Sequence, residues 1–375
     1  MEILITKNVL VVYDNFLIGG IQRLILDQCY EMNLLGYKSE IVILSEAPSE
    51  STPTFEKREQ NLIQQYGIKI SYLPGSKLKQ LIFILKLIKN NSYDYVFAHS
   101  LRGGVLVWFS RLILQKRVSI STVIHQLPSL SAPSQRRKRY FYSRFTDNLL
   151  IFSESARKDW NYYLHKNLSM RIIAGSKQIQ TCRNGVFLPR LSKYTKDLIP
   201  NSYFIRRLIF IGRLKEWKGI DTFLEIAQNH ELKDFEILIV TPTDPSKFIE
   251  KLDAGFQKRI TCVVGKSSSE ISFKPNDIHL YPANYGPESL YTEGVSINVL
   301  EMACLGVTSL ITFGGSETWP ELVKLGLVVE VNWTNSKSVV EIINSEANLE
   351  KNLEVGLARK IIDIKNNITH MIGNG

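Results

Sequence analysis

The chain has 375 residues, more than one core of ordinary size organises, so two domains are expected. Hydrophobic content of 44% and charged content of 22% set aside disordered and fibrous classes, and four scattered cysteines (Cys29, Cys182, Cys262, Cys304) without a C-x-x-C pair point to neither a disulfide framework nor a zinc site. The net charge of +10 is uneven: residues 1–200 hold 28 Lys+Arg and 14 Asp+Glu (+14), which leaves 18 and 22 (−4) for the rest and points to an anionic partner for the front half, such as a membrane surface, nucleic acid or an anionic substrate.

The opening "MEILITKNVLVVYDNF" lacks the basic start and long apolar block of a secretory leader, and no segment is long and apolar enough to span a bilayer. A cytoplasmic protein is therefore expected. "NVLVVYD" (8–14) reads as a buried strand; Gly19 and Gly20 follow, then a helix pattern ending at Gly36. Strands are predicted at 39–45, 93–100, 119–126 and 148–155, with a helix at 77–91. The pattern restarts near residue 206 with strands at 206–212, 235–241, 259–265, 277–283 and 308–313, and with helices at 219–230 and from about Ile297 to Leu305. This alternation predicts an α/β protein of two Rossmann-like, doubly wound domains that face each other across a ligand cleft at the strands' carboxyl ends. The expected boundaries are an N-terminal domain over 1–190, a linker over 191–204, a C-terminal domain over 205–350, and a helical segment, 351–375, that returns to the N-terminal domain.

The stretch "TEGVSINVLEMACLG" (292–306) places a carboxylate, Glu301, inside an apolar run. Ser296 is a good N-cap and Gly306 a good terminator, so the free N–H groups at the helix start form a natural seat for a phosphate or hydroxyl oxygen. Asn298 and Glu301 lie three apart and share a face. Burying an unpaired carboxylate costs several kcal/mol, about 2–7 for a polar group without compensation, so Glu301 faces either a polar ligand or a structural Arg or Lys. In "FIGRLKEWKGIDTFLE" (210–225), Arg213 follows a strand end and Lys218 precedes Gly219, the start of a helix. Two cations there suit a diphosphate; solvated loop charges are the alternative.

The Glu293-x7-Glu301 spacing, with "GRLKEWKG" some eighty residues before it, closely resembles the C-terminal half of the family 4 retaining glycosyltransferases, nucleotide-sugar enzymes of GT-B architecture. "GGIQRLILD" (19–27), "YDYVFAHS", "TVIHQLPS", "LIFSESARKDW" (150–160) and "CRNGVFL" (182–188) resemble further landmarks in the family's order. The resemblance implies that Arg213 and Lys218 bind the donor diphosphate and that Glu293 hydrogen-bonds the donor sugar. Amides of Gly294, Val295, Ser296 and Ile297 contact sugar and phosphate, Glu301 accepts from the ribose hydroxyls, and Gly20, beside Gly19, lets the loop approach the diphosphate. His125 then sits beside the transferred sugar as part of the catalytic set with Glu293, Arg213 and Lys218, and His99 is structural. The implied reaction transfers a hexose or N-acetylhexosamine from a nucleotide-diphosphate sugar to a glycan, lipid-linked, in bacterial surface polysaccharide synthesis such as that of lipopolysaccharide. It needs no cofactor and no metal. A non-catalytic nucleotide-sugar or glycan binder on the same fold is the competing reading.

Two stretches depart from the family pattern, "IVTPTDPS" (239–246) and "ITFGGSETWPELV" (311–323) with Trp319 and Pro320, and both are expected near the donor base. "SQRRKRYFYSRF" (134–145) interleaves Arg136, Arg137, Lys138, Arg139 and Arg144 with Tyr140, Phe141 and Tyr142. That mixture suits an anionic membrane surface at the inner face of the plasma membrane. A solvated helix face with core aromatics is the alternative; no nucleic acid is expected, since no RNA-binding module signature is present.

Overall fold

The computed structural model describes residues 7–16, 19–49, 55–125, 133–166, 179–191, 206–266, 270–273, 276–283, 295–346 and 354–373, and the structural statements below concern these. Two compact units emerge, Met1–Phe187 with Ile364–Gly375, and Leu188–Asp363. The chain leaves the first unit ahead of the 191–204 linker and re-enters it at Ile364, inside the 351–375 segment, so residues 354–363 belong to the second unit.

The first unit is a seven-stranded parallel sheet in the order β3-β2-β1-β4-β5-β6-β7. Its strands are β1 (Asn8–Tyr13), β2 (Lys38–Ile43), β3 (Lys69–Tyr72), β4 (Tyr95–Ala98), β5 (Ser119–Ile124), β6 (Asn148–Ile151) and β7 (Ile179–Thr181). Its helices are α1 (Gly20–Leu34), α2 (Phe55–Arg58), α3 (Gln60–Gln65), α4 (Lys77–Asn90), α5 (Leu101–Leu114), α6 (Pro133–Tyr142) and α7 (Glu154–Lys166). Val9 to Val12 are at most 1% exposed. A strand covered by helices on both faces has no polar side to present, so it reads as an unbroken apolar run. The order reverses between β1 and β4, the point at which an open α/β sheet opens a crevice at its carboxyl edge.

The second unit starts with α8 (Leu188–Leu191) and holds a six-stranded parallel sheet, β10-β9-β8-β11-β12-β13. These strands are β8 (Arg207–Ile211), β9 (Glu236–Thr241), β10 (Ile260–Val264), β11 (Ile278–Tyr281), β12 (Thr308–Thr312) and β13 (Val328–Val331). The helices are α9 (Ile220–Ala227), α10 (Ser246–Ile249), α11 (Ala254–Gln257), α12 (Ile297–Cys304), α13 (Pro320–Lys324), α14 (Ser336–Glu346) and α15 (Glu354–Ile362). Its switch point lies between β8 and β11. α15 packs on α12, where the Arg359 guanidinium donates to the Cys304 carbonyl at 2.9 Å.

After Asp363 the last helix, α16 (Ile364–Gly373), lies against α1 of the first unit. The Ile364 N–H donates to the Val186 carbonyl at 3.2 Å. Under this cover α1 is buried nearly all round, polar residues included, with Asp27 at 0% exposure and Gln28 donating to the Met371 sulfur at 3.6 Å.

Three strands escape an apolar-run criterion: β3 "KISY", β7 "IQT" and β13 "VVEV". All three are sheet edges, half-buried and short, where polar residues are tolerated because one side faces water. Helix α5 is also absent from the sequence expectations; Gly103 and Gly104 in its first turn do not break it. They are contact residues instead: a Cβ at Gly104 meets Thr122 Oγ1 at 2.5 Å and one at Gly103 meets Val12 Cγ1 at 2.9 Å, so the glycines let the helix lie close on the sheet. Helix α9 ends at Ala227 rather than at 230, because the Asn229 side chain accepts from the Glu231 N–H and starts a separate turn at His230–Leu232.

Candidate active site

Each sheet presents its own set of candidate side chains near its switch point. In the first unit, β1 runs into Asp14, β4 into His99 and Ser100, and β5 into His125. His99 Nδ1 lies 3.0 Å from His125 Nε2, with the rings stacked at 5.2 Å and 16° apart. Burial pushes the His125 pKa down to about 3; burial, followed by the neighbouring His125, holds His99 well below the ordinary value. Both imidazoles are therefore neutral near pH 7 and share one proton across the contact. His99 Nε2 is buried and has no hydrogen-bond partner among the described residues. A proton there would be an orphaned buried N–H, the costlier defect. The proton accordingly sits on His99 Nδ1 and donates to His125 Nε2, which leaves His125 protonated at Nδ1.

Next to the pair, the Ser100 hydroxyl donates to Asp14 Oδ1 at 3.0 Å and accepts from the Gly103 N–H at 3.0 Å as the N-cap of α5. Burial pushes the Asp14 carboxyl up, while the Ser100 bond and the Arg102 charge oppose the shift. Sequence reasoning overlooked Asp14 and Ser100; the signal was their place at the ends of the two strands that flank the switch point. Gly19 caps α1 and Gly20 is its first residue. A Cβ at Gly19 runs into Gln22 Oε1 at 2.6 Å, whereas one at Gly20 meets nothing within 4 Å. The protein's own packing thus requires no glycine at position 20.

In the second unit, β8 ends at Ile211 and delivers Arg213, which is exposed and pairs with no carboxylate among the described residues. Lys218 closes a 3-10 turn and donates to the Tyr281 hydroxyl at the end of β11, with its ammonium 4.4 Å from the Trp217 ring centre and 4.9 Å from that of Tyr281. Gly219 then starts α9 at φ +75°; a Cβ there would sit 2.5 Å from the Pro282 carbonyl oxygen. The close pass of this turn over the exit of β11 needs glycine on both counts.

Helix α12 starts where expected, with Ser296 Oγ accepting from the Val299 N–H. Val295 and Ile297 are buried and Ser296 half-buried. Asn298 donates to the Ile211 carbonyl at 3.1 Å, so the helix start is tied to the strand end that delivers Arg213. Glu301, on the same face, is 0% exposed and forms an ion pair with Arg190 at 3.8 Å; Arg190 is itself nearly buried in α8. An arginine more than a hundred positions away is thus one partner of Glu301. Glu293 and Gly294 lie outside the described residues. In the second departing stretch, Trp319 is 2% exposed and Pro320 opens α13, while Phe313 is 71% exposed. In the first, Asp244 accepts from the Ser246 N–H and starts α10.

The basic segment 134–145 divides by face. Tyr140 is fully buried and donates to the Trp160 carbonyl at 2.8 Å, and Arg136 lies 4.2 Å over the Tyr163 ring. Arg137, Lys138, Phe141 and Arg144 are exposed. Among the described residues no group of His, Cys, Asp and Glu is arranged to hold a metal ion, and no helix is long and apolar enough to cross a membrane. The cysteines are free; burial pushes the Cys29 and Cys304 thiols far up, and that of Cys182 up to about 12, so these three are unreactive.

No family's sequence profile matches this chain, and no curated protein sequence matches it. Solved structures do. HepE of Anabaena, in complex with UDP-glucose, is 14% identical, with 98% of this chain and 100% of that one covered at a TM-score of 0.64. Sucrose-phosphate synthase of Thermosynechococcus elongatus is 13% identical, with 98% of each chain covered at a TM-score of 0.67. The lipopolysaccharide outer core galactosyltransferase WaaB is 13% identical, with 98% of this chain and 99% of that one covered at a TM-score of 0.64. The chain has the GT-B glycosyltransferase fold, two Rossmann-like doubly wound domains.

Proposed function

We propose that the protein is a retaining glycosyltransferase of the family 4 kind. It would transfer a hexose or N-acetylhexosamine from a nucleotide-diphosphate sugar to a lipid-linked glycan in bacterial surface polysaccharide synthesis, without a metal. One observation carries the reading: the Asn298–Ile211 bond holds the capped start of α12 beside the strand end that bears Arg213, with Lys218 anchored at the same switch point by Tyr281. Two cations and a helix N-terminus are carried by this one edge of the sheet, a combination that suits a diphosphate leaving group. The neighbour that binds UDP-glucose and the neighbour that acts on the lipopolysaccharide core support the same donor and acceptor classes.

In the reaction the bond from the sugar's anomeric carbon to the diphosphate oxygen breaks and a bond to the acceptor oxygen forms. The acceptor's proton leaves on the departing phosphate. His125, neutral with a pKa near 3, is a poor base at pH 7 but a sound hydrogen-bond donor through Nδ1. It would orient a sugar hydroxyl rather than take a proton. Glu293 would bind the donor sugar's hydroxyls and the amides of Gly294 to Ile297 its phosphate.

The test incubates purified protein with a panel of UDP-, GDP- and ADP-sugars and follows melting temperature, donor hydrolysis and transfer, with the product anomer read by NMR. Stabilisation by one donor, with transfer that retains the anomeric configuration and vanishes in Glu293→Ala, is expected. Donor binding with neither transfer nor hydrolysis would show a binder on a transferase fold.

A further inference from the structure

We propose that the outer face of α5 and α6, flanked by α4, is a docking surface for the headgroup layer of an anionic phospholipid bilayer. Among the described residues, fourteen large hydrophobic side chains are exposed, and seven of them sit on these three consecutive helices. Phe109, Leu112 and Ile113 on α5 follow an i, i+3, i+4 spacing and so form one stripe, each at least 40% exposed. A chain of ring contacts carries the stripe across to α6: Phe109 to Phe145 at 5.7 Å, then Phe145 to Phe141 at 5.2 Å. On the other side α4 packs along α5 and exposes Leu78, Ile82 and Phe83.

Charge is arranged to match. Between Glu59 and Asp147 the sequence has fourteen Lys and Arg and one carboxylate, Asp94; α4, α5 and α6 contain no acid at all. On α6 the inward residues, Tyr140 and Arg136, are engaged by Trp160 and Tyr163, so the exposed Arg137, Lys138 and Phe141 are left to face outward. Around the end of α5, Arg111, Lys116, Arg117, Val118 and Ser119 line a shallow depression of about 460 Å³. Arg111 there is paired with Asp147, which leaves Lys116 and Arg117 as its uncompensated charges.

An apolar centre of aliphatic and aromatic side chains inside a cationic field without acids is the pattern of an interfacial surface: rings and leucines settle at the acyl boundary while lysines and arginines hold the phosphates. A nucleic-acid surface has the charge but gains nothing from bare Leu112 and Ile113. The inference is independent of the transferase reading, since none of these residues belongs to the donor or histidine sites.

The experiment sediments the full chain with neutral phosphatidylcholine vesicles and with vesicles containing about 30% phosphatidylglycerol, at about 0.1 M salt, where exposed charges still attract. Binding to the anionic vesicles alone is expected. Arg137→Gln/Lys138→Gln/Arg144→Gln should weaken it on the order of 100-fold, about fivefold per charge. Leu112→Ser/Ile113→Ser should weaken it as well, and both variants should melt as the parent does because the altered side chains are exposed. Transfer to a soluble acceptor should be unchanged. The proposal is overturned by equal binding to both vesicles, by none, by variants that bind as the parent, or by a single-stranded RNA that binds stoichiometrically and releases the vesicles.

Discussion

His99 Nδ1 meets His125 Nε2 at 3.0 Å across the carboxyl ends of β4 and β5, in a stacked pair that burial keeps neutral. His279 is a third neutral histidine: it lies within β11, 3.0 Å from the Ser309 hydroxyl, and burial pushes its pKa down to about 3. In the unfolded chain each titrates near 6.5, so between pH 6.5 and 3 the unfolded state binds more protons than the folded one. The stability these groups contribute is complete above pH 6.5 and is lost as the pH falls. Each contributes a slope of up to about 1.4 kcal/mol per pH unit. Asp14, whose pKa is raised, acts in the opposite sense and only from its ordinary value near 3.8 upward. Urea unfolding at pH 7, 6 and 5 should show falling stability, with a shallower fall in His125→Gln. A flat profile, or a His125 resonance that titrates near 6.5, would contradict the pair's neutrality.

On the proposed reading, Lys218 and Arg213 hold the donor diphosphate. Lys218→Met should reduce transfer by about 10²–10³-fold, the magnitude usual for loss of a charge-stabilising group, and leave the melting temperature within a degree or two. Tyr281→Phe, which removes only the hydroxyl that holds the lysine, should lose less. Steady-state kinetics beside a melting curve separates these effects; a Lys218→Met protein with parent activity would remove Lys218 from the site.

Arg190 and Glu301 form a buried ion pair in the second unit. Arg190→Met takes the arginine charge away from a carboxylate at 0% exposure and should cost about 3–5 kcal/mol, whereas Arg190→Met/Glu301→Leu should recover most of it. Denaturant unfolding of the two variants measures the difference. A double variant as unstable as the single one would show that packing, not charge, accounts for the loss.

Gly219 combines φ +75° with a Cβ position 2.5 Å from Pro282 O. Gly219→Ala should cost about 2–4 kcal/mol and displace the turn that carries Lys218, so nucleotide-sugar affinity should fall together with stability. Circular dichroism melts and donor titration on one sample report both. A stable variant with parent affinity would mean that the turn relaxes without consequence.

The sequence by itself determined the central strands, because a strand buried on both faces must be written as an unbroken apolar run. It determined the start of α12, because Ser296 caps within three residues of itself, and it marked Arg213 and Lys218 by their places between a strand end and a helix start, whereas His125 was marked only by the family resemblance. These are local signals, set by neighbours along the chain. The edge strands β3, β7 and β13 and the glycine-bearing α5 were not legible, because water tolerates their polar residues and only the nearness of Thr122 and Val12 explains the glycines. Tertiary structure alone decided that Glu301 meets Arg190, that His99 meets His125, that Tyr281 holds Lys218, and that the 134–145 segment splits into a buried Tyr140 and an exposed Phe141. The three contacting pairs are separated by 26 to more than 100 residues, and which side chains a parallel sheet brings to one edge depends on strand order, which no periodicity along the chain encodes.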